Sequence, residues 1–317
     1  MKPPSAALLL RRLQVTRATK VAENYVHMGT WFSVAALLCI IFVIATTFRK
    51  LVNSPTPVKQ KHLSFFVNMK EIFTDGQAKW VFGFAFMVVI GIALVSNLQM
   101  FFYEHFMVLG GKEKSIAHGS TMLGMGIGAV TVSILTRHLD KKGAVFSGVL
   151  WSVSCNLLLA ILFLGKILHP GQTLVVAHTV IPIAFIIFVL LHGAYWFGNG
   201  IMMPIAISMM ADISELCKIR TGKQKDGGYS AVFTFVLKSG MSIASFIAGY
   251  VLVFIGFEAG NPISNSSTAT FKLCAFTLLS GPLISLLALG LIRKYSINKK
   301  SLERERNLTG DESITKR

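Results

Sequence analysis

Seven stretches of roughly 20 mainly apolar residues recur along this 317-residue chain, near residues 30–48, 80–103, 116–136, 144–165, 181–210, 229–257 and 271–292. A helix needs about 20 such residues to cross a hydrocarbon layer of about 30 Å. The expected fold class is therefore all-α, a polytopic membrane protein of about seven transmembrane helices. Composition agrees: 53% of the residues are hydrophobic and 14% charged, more apolar surface than one soluble core takes up. The fifth stretch is the least regular. Its apolar run, Thr173 to Ala211, is too long for one upright span, and Pro182 and the "GNG" at 198–200 mark places where it starts, bends or unwinds, with two shorter helices as the alternative.

Lysine and arginine number 31 against 14 acidic residues, a net charge of +17 that in a soluble chain would suggest nucleic acid. Their placement points to a membrane instead. With residues 49–79 cytoplasmic, the inward segments 49–79, 137–143, 212–228 and 293–317 hold 21 of these cations, and the outward segments hold only Lys112, Lys114, Lys166 and Lys272. The expectation is a multi-pass protein of the cell (inner) membrane with a cytoplasmic C-terminus, whose partner is the lipid bilayer and not nucleic acid. Residues 1–29 break the pattern: they fall outside, yet carry Lys2, Arg11, Arg12, Arg17 and Lys20. The "AALLL" at 6–10 is too short for a signal peptide's apolar region, so the chain is expected to begin partway through something longer. Residues 49–79, with Pro55 and Pro57, read as a linker between membrane units. Their "LSFFVNMKEIF" is an amphipathic surface helix or ordinary loop packing.

The chain lacks a P-loop, HExxH and GxSxG, so it is not expected to be an enzyme or to hold a metal or cofactor. "GMGIG" at 124–128 lies inside an apolar span and reads as a close helix-packing seam, not a dinucleotide fingerprint. Cys39, Cys155, Cys217 and Cys274 have no ligand-type spacing and read as packing thiols. The sequon at 265–267 falls in an outward loop.

Polar groups inside the spans carry the functional signal. Lys238 sits mid-span, where a lysine costs about 2.5–3.5 kcal/mol on insertion scales. Ser230, Thr234, Lys238 and Ser242 recur every four positions, and Ser245 and Gly249 continue that face. The stripe is expected to face a water-filled cavity; the alternative is a lysine that snorkels or pairs with a buried acid. Asn97 and Tyr103, with Ser96 and Gln99 on the same span, and Trp196 and Asn199, with His192 and Tyr195 on theirs, combine aromatic faces with amides and hydroxyls, as a sugar ring requires, or serve as packing residues.

The stretch "MADISELCKIRTGKQKDGGYSAVFTFVLK" at 210–238 resembles the junction of helices ten and eleven in the glycoside-pentoside-hexuronide:cation symporters, a melibiose-carrier-like branch of the major facilitator superfamily. "SNLQMFFYEHFMVLG" at 96–110 and "LTRHLDKKG" at 135–143 resemble its helix seven and its loop between helices eight and nine. The resemblance covers about residues 30–294 and implies the following organisation: a polar, basic segment 1–29; helix six at 30–48, the last of a missing N-terminal half; a central cytoplasmic loop 49–79; a C-terminal six-helix bundle 80–294; and a cytoplasmic tail 295–317. It implies symport of a sugar or glycoside with Na+ or H+ as coupling ion, by a chain unable to transport without its other half. A non-transporting fragment or subunit, and a lysolipid or other solute carrier of this fold, are the alternatives. By the resemblance, Lys238 matches a lysine near the cation site and Thr234 a threonine close to the sugar. Met203 stands where melibiose carriers have a sugar-stacking tryptophan and Phe233 where they have glutamine, which tells against a galactoside. Asp212, Glu215, Arg220 and Lys223 fall at the cytoplasmic mouth, where they would form gating ion pairs, with Asp212 latching to Arg220 and Lys223.

Overall fold

Backbone amides and carbonyls within a bilayer must be satisfied inside the protein, and this chain does so with helices. The computed structural model describes residues 22–52, 65–176, 179–257 and 266–309. The basic N-terminal residues up to Lys20, Pro55, Pro57 and the last residues of the tail lie outside these, as does Asn265 of the sequon. Residues 1–64 form one unit, in which α1 (Ala22–Val52) contains an apolar stretch, Tyr25–Phe48, long enough to cross a membrane. The Thr30 and Ser33 hydroxyls of α1 donate to carbonyls four residues earlier, which satisfies them within an apolar helix.

The second unit, residues 65–317, opens with α2 (Phe65–Thr74) and α3 (Ala78–Phe101), which ends in a π-helical turn at Phe102–Phe106. Then come α4 (Gly111–Leu164), a small antiparallel hairpin of β1 (Leu174–Val176) and β2 (Thr179–Ile181) with Leu174 opposite Ile181, α5 (Ile183–Thr221), α6 (Asp226–Phe254), α7 (Ser267–Ile292) and α8 (Lys299–Thr309). The all-α polytopic architecture read from the sequence holds, with the hairpin a minor addition.

Helix α4 would measure about 80 Å if straight. It is not straight. At Asp140 the backbone leaves the helical region, at φ 56° and ψ 171°. Gly124 and Gly128 before the break, and Gly148 and Ser152 after it, meet the same stretch of α5 around residues 193–201. The two limbs of α4 therefore run antiparallel with α5 between them. Six long apolar helices, one folded back on itself, give seven segments long enough to cross a membrane among the described residues.

That seam is built from glycine. Lipid tails are as apolar as leucine side chains, so helices in a membrane associate through close packing rather than hydrophobic expulsion. An added Cβ on Gly124 would overlap the carbonyl oxygen of Gly193, one on Gly128 that of Phe197, and one on Gly200 that of Met125. The "GMGIG" reading thus finds its partner: Gly124 and Gly128, one helical turn apart, face α5, and Gly126 between them has nothing within 4 Å of an added Cβ. The "GNG" of α5 neither starts nor unwinds that helix, which is continuous from Ile183 with Pro182 at its N-cap; Gly198 and Gly200 belong to the seam.

Overpacking a tight backbone contact destabilises by about 1–3 kcal/mol or more. Gly124→Val should therefore cost about 3 kcal/mol or prevent assembly, and Gly126→Val should change stability little. Thermal unfolding of the two variants in detergent checks the difference.

Candidate functional site

Helix α6 is divided lengthwise. Tyr229, Val232, Phe233, Val236, Gly240, Ala244 and Val251 are buried against the rest of the unit. Ser230, Thr234, Lys238, Ser242, Ser245 and Gly249 are all exposed, and they share one side. Phe235, Phe246 and Val253, also exposed, form an adjoining apolar strip. Lys238 makes no ion pair with a carboxylate among the described residues. Asn97 of α3 reaches this face, its Nδ2 donating to Ser245 Oγ at 3.2 Å. Asn97, Thr234 and Lys238 therefore belong to one surface. Phe233 does not: it is buried on the opposite side, its ring 5.9 Å from that of Phe82. Met203 of α5 is half-buried and packs against the largest apolar core, so α5 offers a thioether and no aromatic face at that position.

The other polar residues singled out from the sequence lie inside the bundle. Tyr103 is 0%, Asn199 1% and Trp196 3% exposed. They belong to a buried polar girdle between α3, α4 and α5. His192 Nε2 lies 3.2 Å from Gln99 Oε1 and accepts the Trp196 indole N–H at 3.3 Å. Asn199 Nδ2 donates to Ser152 Oγ at 3.0 Å and to the Tyr195 carbonyl at 3.0 Å. The His192 ring stacks on Phe188 with centroids 4.9 Å apart. None of Tyr103, Trp196 and Asn199 presents an open face here, so sugar contact at these positions requires the bundle to rearrange.

At the basic end of the bundle the acids and bases pair, though not as the sequence suggested. The Asp212 carboxylate accepts from Lys141 Nζ at 2.6 Å and from the Tyr295 hydroxyl at 3.2 Å, rather than from Arg220 and Lys223. Lys141 reaches it because the reversal at Asp140 delivers the next residue to the end of α5. Burial, with the Asp212 charge alongside, pushes the Tyr295 phenol above its ordinary value. Arg220 instead pairs with Glu305 of α8 at 2.5 Å, and Glu215 pairs with Arg306 of α8. The hydrogen bond from Arg220 holds the Glu305 carboxyl below the usual carboxylate range. Lys223 is exposed and makes no ion pair among the described residues. A cavity of about 470 Å³ opens between the α4 reversal and the segment after α7, lined by Asp140, Lys141, Asp212, Tyr295 and Asn298.

A family model described as MFS/sugar transport protein matches residues 5–299. The chain is 28% identical over 195 residues to an uncharacterised 29.9 kDa protein from the crtE 3′ region of Pseudescherichia vulneris, covering 62% of this chain and 64% of that one. It is 25% identical over 271 residues to the inner membrane symporter YicJ of Escherichia coli (strain K12), covering 86% of this chain and 54% of the symporter. It is 24% identical over 259 residues to the uncharacterised symporter sll1374 of Synechocystis, covering 75% and 42%. The chain thus spans less than two thirds of the length of each of these relatives.

Side chains of Lys141 and Asp212 are 31% and 16% exposed, a partly desolvated charged hydrogen bond of the kind worth about 1.5–3 kcal/mol. Lys141→Met and Asp212→Asn should each destabilise the bundle by about that amount, and the double variant should cost no more than the worse single one. A double-mutant cycle in thermal or denaturant unfolding measures the coupling.

Proposed function

The chain belongs to the MFS/sugar transport protein family, and we propose from this that it forms one half of a cation-coupled carrier for a sugar or glycoside. The observation that carries the reading is the exposed polar strip of α6, with an ammonium at its centre that has no ion pair among the described residues and an asparagine of α3 bonded to its edge. A hydrophobic helix keeps such a strip when it lines a wet crevice. Carriers of this architecture bind their cargo near the bilayer midplane between two helical halves that rock about it. A second six-helix half supplies the opposite wall and the carboxylates that the α6 strip lacks. Two relatives are named symporters, which supports coupling to an ion.

In this mechanism the coupling cation, Na+ or H+, and the Lys238 ammonium compete for the same carboxylates. Cation binding releases the ammonium, and the rearranged hydrogen bonds around Thr234 and Asn97 accept the sugar. Binding of either ligand thereby favours the other, and the cation gradient drives accumulation. Asp212, Glu215 and Arg220 act at the cytoplasmic mouth: their pairs with Lys141, Arg306 and Glu305 hold the end of α5 in one state and break in the other. The basic end faces the cytoplasm of a cell whose inner membrane holds the protein.

Uptake of radiolabelled glycosides by the complete carrier in proteoliposomes tests this. An imposed Na+ or H+ gradient should drive accumulation, Lys238→Ala should reduce it at least tenfold, and Thr234→Ala should raise the KM about fivefold, the worth of one hydrogen bond. Accumulation by Lys238→Ala at the wild-type level would remove Lys238 from the coupling mechanism.

A further inference from the structure

Three elements meet at one rim of the basic end: the first turn of α3, the C-terminus of α7 and the start of the second limb of α4. Lys79 Nζ lies 5.2 Å and Lys294 Nζ 4.3 Å from the centre of the same ring system, the indole of Trp80. Beside them the Arg293 guanidinium lies 5.9 Å from the Phe146 ring. All three cations are exposed, and none makes an ion pair among the described residues. Asp75, Asp212 and Glu71 at this end are engaged elsewhere. Asp75 accepts the Tyr229 hydroxyl at 2.7 Å and the amides of Gln77 and Ala78, Asp212 takes Lys141, and Glu71 takes Lys225. Cation–π attraction holds each ammonium at the indole but leaves two like charges on one ring with no ion-paired carboxylate among the described residues.

The cation-bearing turn is fixed in place. Lys142 Nζ donates to the Arg293 carbonyl at 2.6 Å and to the Tyr295 carbonyl at 3.2 Å, and the Ser296 amide donates to Gln77 Oε1 at 3.1 Å. Below it, along α7, Leu283, Leu287 and Gly290 follow one another at helical spacing on one face, and Lys294 lies in the turn just past the helix end. Leu283 is 61% and Leu287 64% exposed, and Gly290 has nothing within 4 Å of an added Cβ. An apolar track with a shallow slot thus leads up to a pair of cations on an interfacial tryptophan.

We propose that this rim is a binding site for an anionic phospholipid. Its phosphate sits between Lys79 and Lys294, with Arg293 beside it, and an acyl chain follows the Gly290 slot and Leu287 toward Leu283. Charge complementarity selects a net-negative headgroup over a zwitterionic one, and the apolar track selects a lipid over free phosphate. The three cations are not the ones that pair with Asp212 and Glu215, which take Lys141 and Arg306.

Native mass spectrometry of the purified chain, with added phosphatidylglycerol, phosphatidylcholine or inorganic phosphate, tests the proposal. The wild type should retain phosphatidylglycerol in preference to phosphatidylcholine. The Lys79→Gln/Lys294→Gln variant should bind phosphatidylglycerol about thirtyfold more weakly, two cations' worth of membrane-surface attraction, and Lys79→Arg/Lys294→Arg should stay within about threefold of wild type. Gly290→Phe fills the slot without touching a charge and should also weaken phosphatidylglycerol binding, which guards against a glutamine variant that fails to fold. Equal phosphatidylglycerol retention by wild type and the glutamine or Gly290→Phe variants would overturn the site. Inorganic phosphate that displaces phosphatidylglycerol at matched concentration would instead reveal a free-phosphate site and overturn the lipid assignment.

Discussion

Backbone-to-backbone contact between α4 and α5 is the constraint on which the remaining geometry depends. With no hydrophobic drive between helices in lipid, the two limbs of α4 clasp α5 because glycines remove the side chains that would hold them apart. This clasp places the α5 stretch around Trp196 and Asn199 in the interior, where their polar atoms must find partners among Gln99, His192 and Ser152. It also aims the lower end of α5 at the reversal of α4, so that Asp212 meets Lys141. Core order and mouth electrostatics therefore share one origin.

Helix α6 is held differently. Gly240 allows close approach to α3, where an added Cβ would overlap the Val89 side chain, yet only one side of the helix is committed to packing. Its other side keeps an ammonium, a threonine and three serines in the open. An exposed charge at mid-span is costly in hydrocarbon and tolerable in water. This asymmetry, more than any single residue, underlies the proposal that a second half and a polar cargo meet at the α6 face. The charged tail helix α8 lies at the opposite kind of surface, pinned to α5 by Arg220–Glu305 and Glu215–Arg306.

Features set by length and composition were legible in the sequence. Apolar windows about 20 residues long gave the spans, and the charged "RHLDKK" separated two windows that the structure joins into one folded helix. The four-residue recurrence of polar groups gave the α6 strip, because side-chain direction in a helix follows directly from spacing. Features that depend on which helix lies next to which were not legible. Asp212 and Lys141 are 71 positions apart, so their pairing follows from a reversal that no local pattern announces. Trp196 and Asn199 carry the residue types of a sugar site, and only the glycine seam shows that they are enclosed. The π-helical turn at Phe102–Phe106 and the paired strands Leu174–Val176 and Thr179–Ile181 lie between the long apolar helices, with no strong periodicity to mark them.

The central claim is that the α6 strip lies in water at membrane depth. Single cysteines placed along residues 229–249 of the complete carrier, with Cys39, Cys155, Cys217 and Cys274 replaced by serine, can be probed with a membrane-impermeant thiol reagent. Reaction should recur at positions 230, 234, 238, 242 and 245, slow in the presence of a transported glycoside, and vanish at 232, 233, 236 and 240. Strip positions that react only with a lipid-soluble reagent would place Lys238 against hydrocarbon and contradict the account.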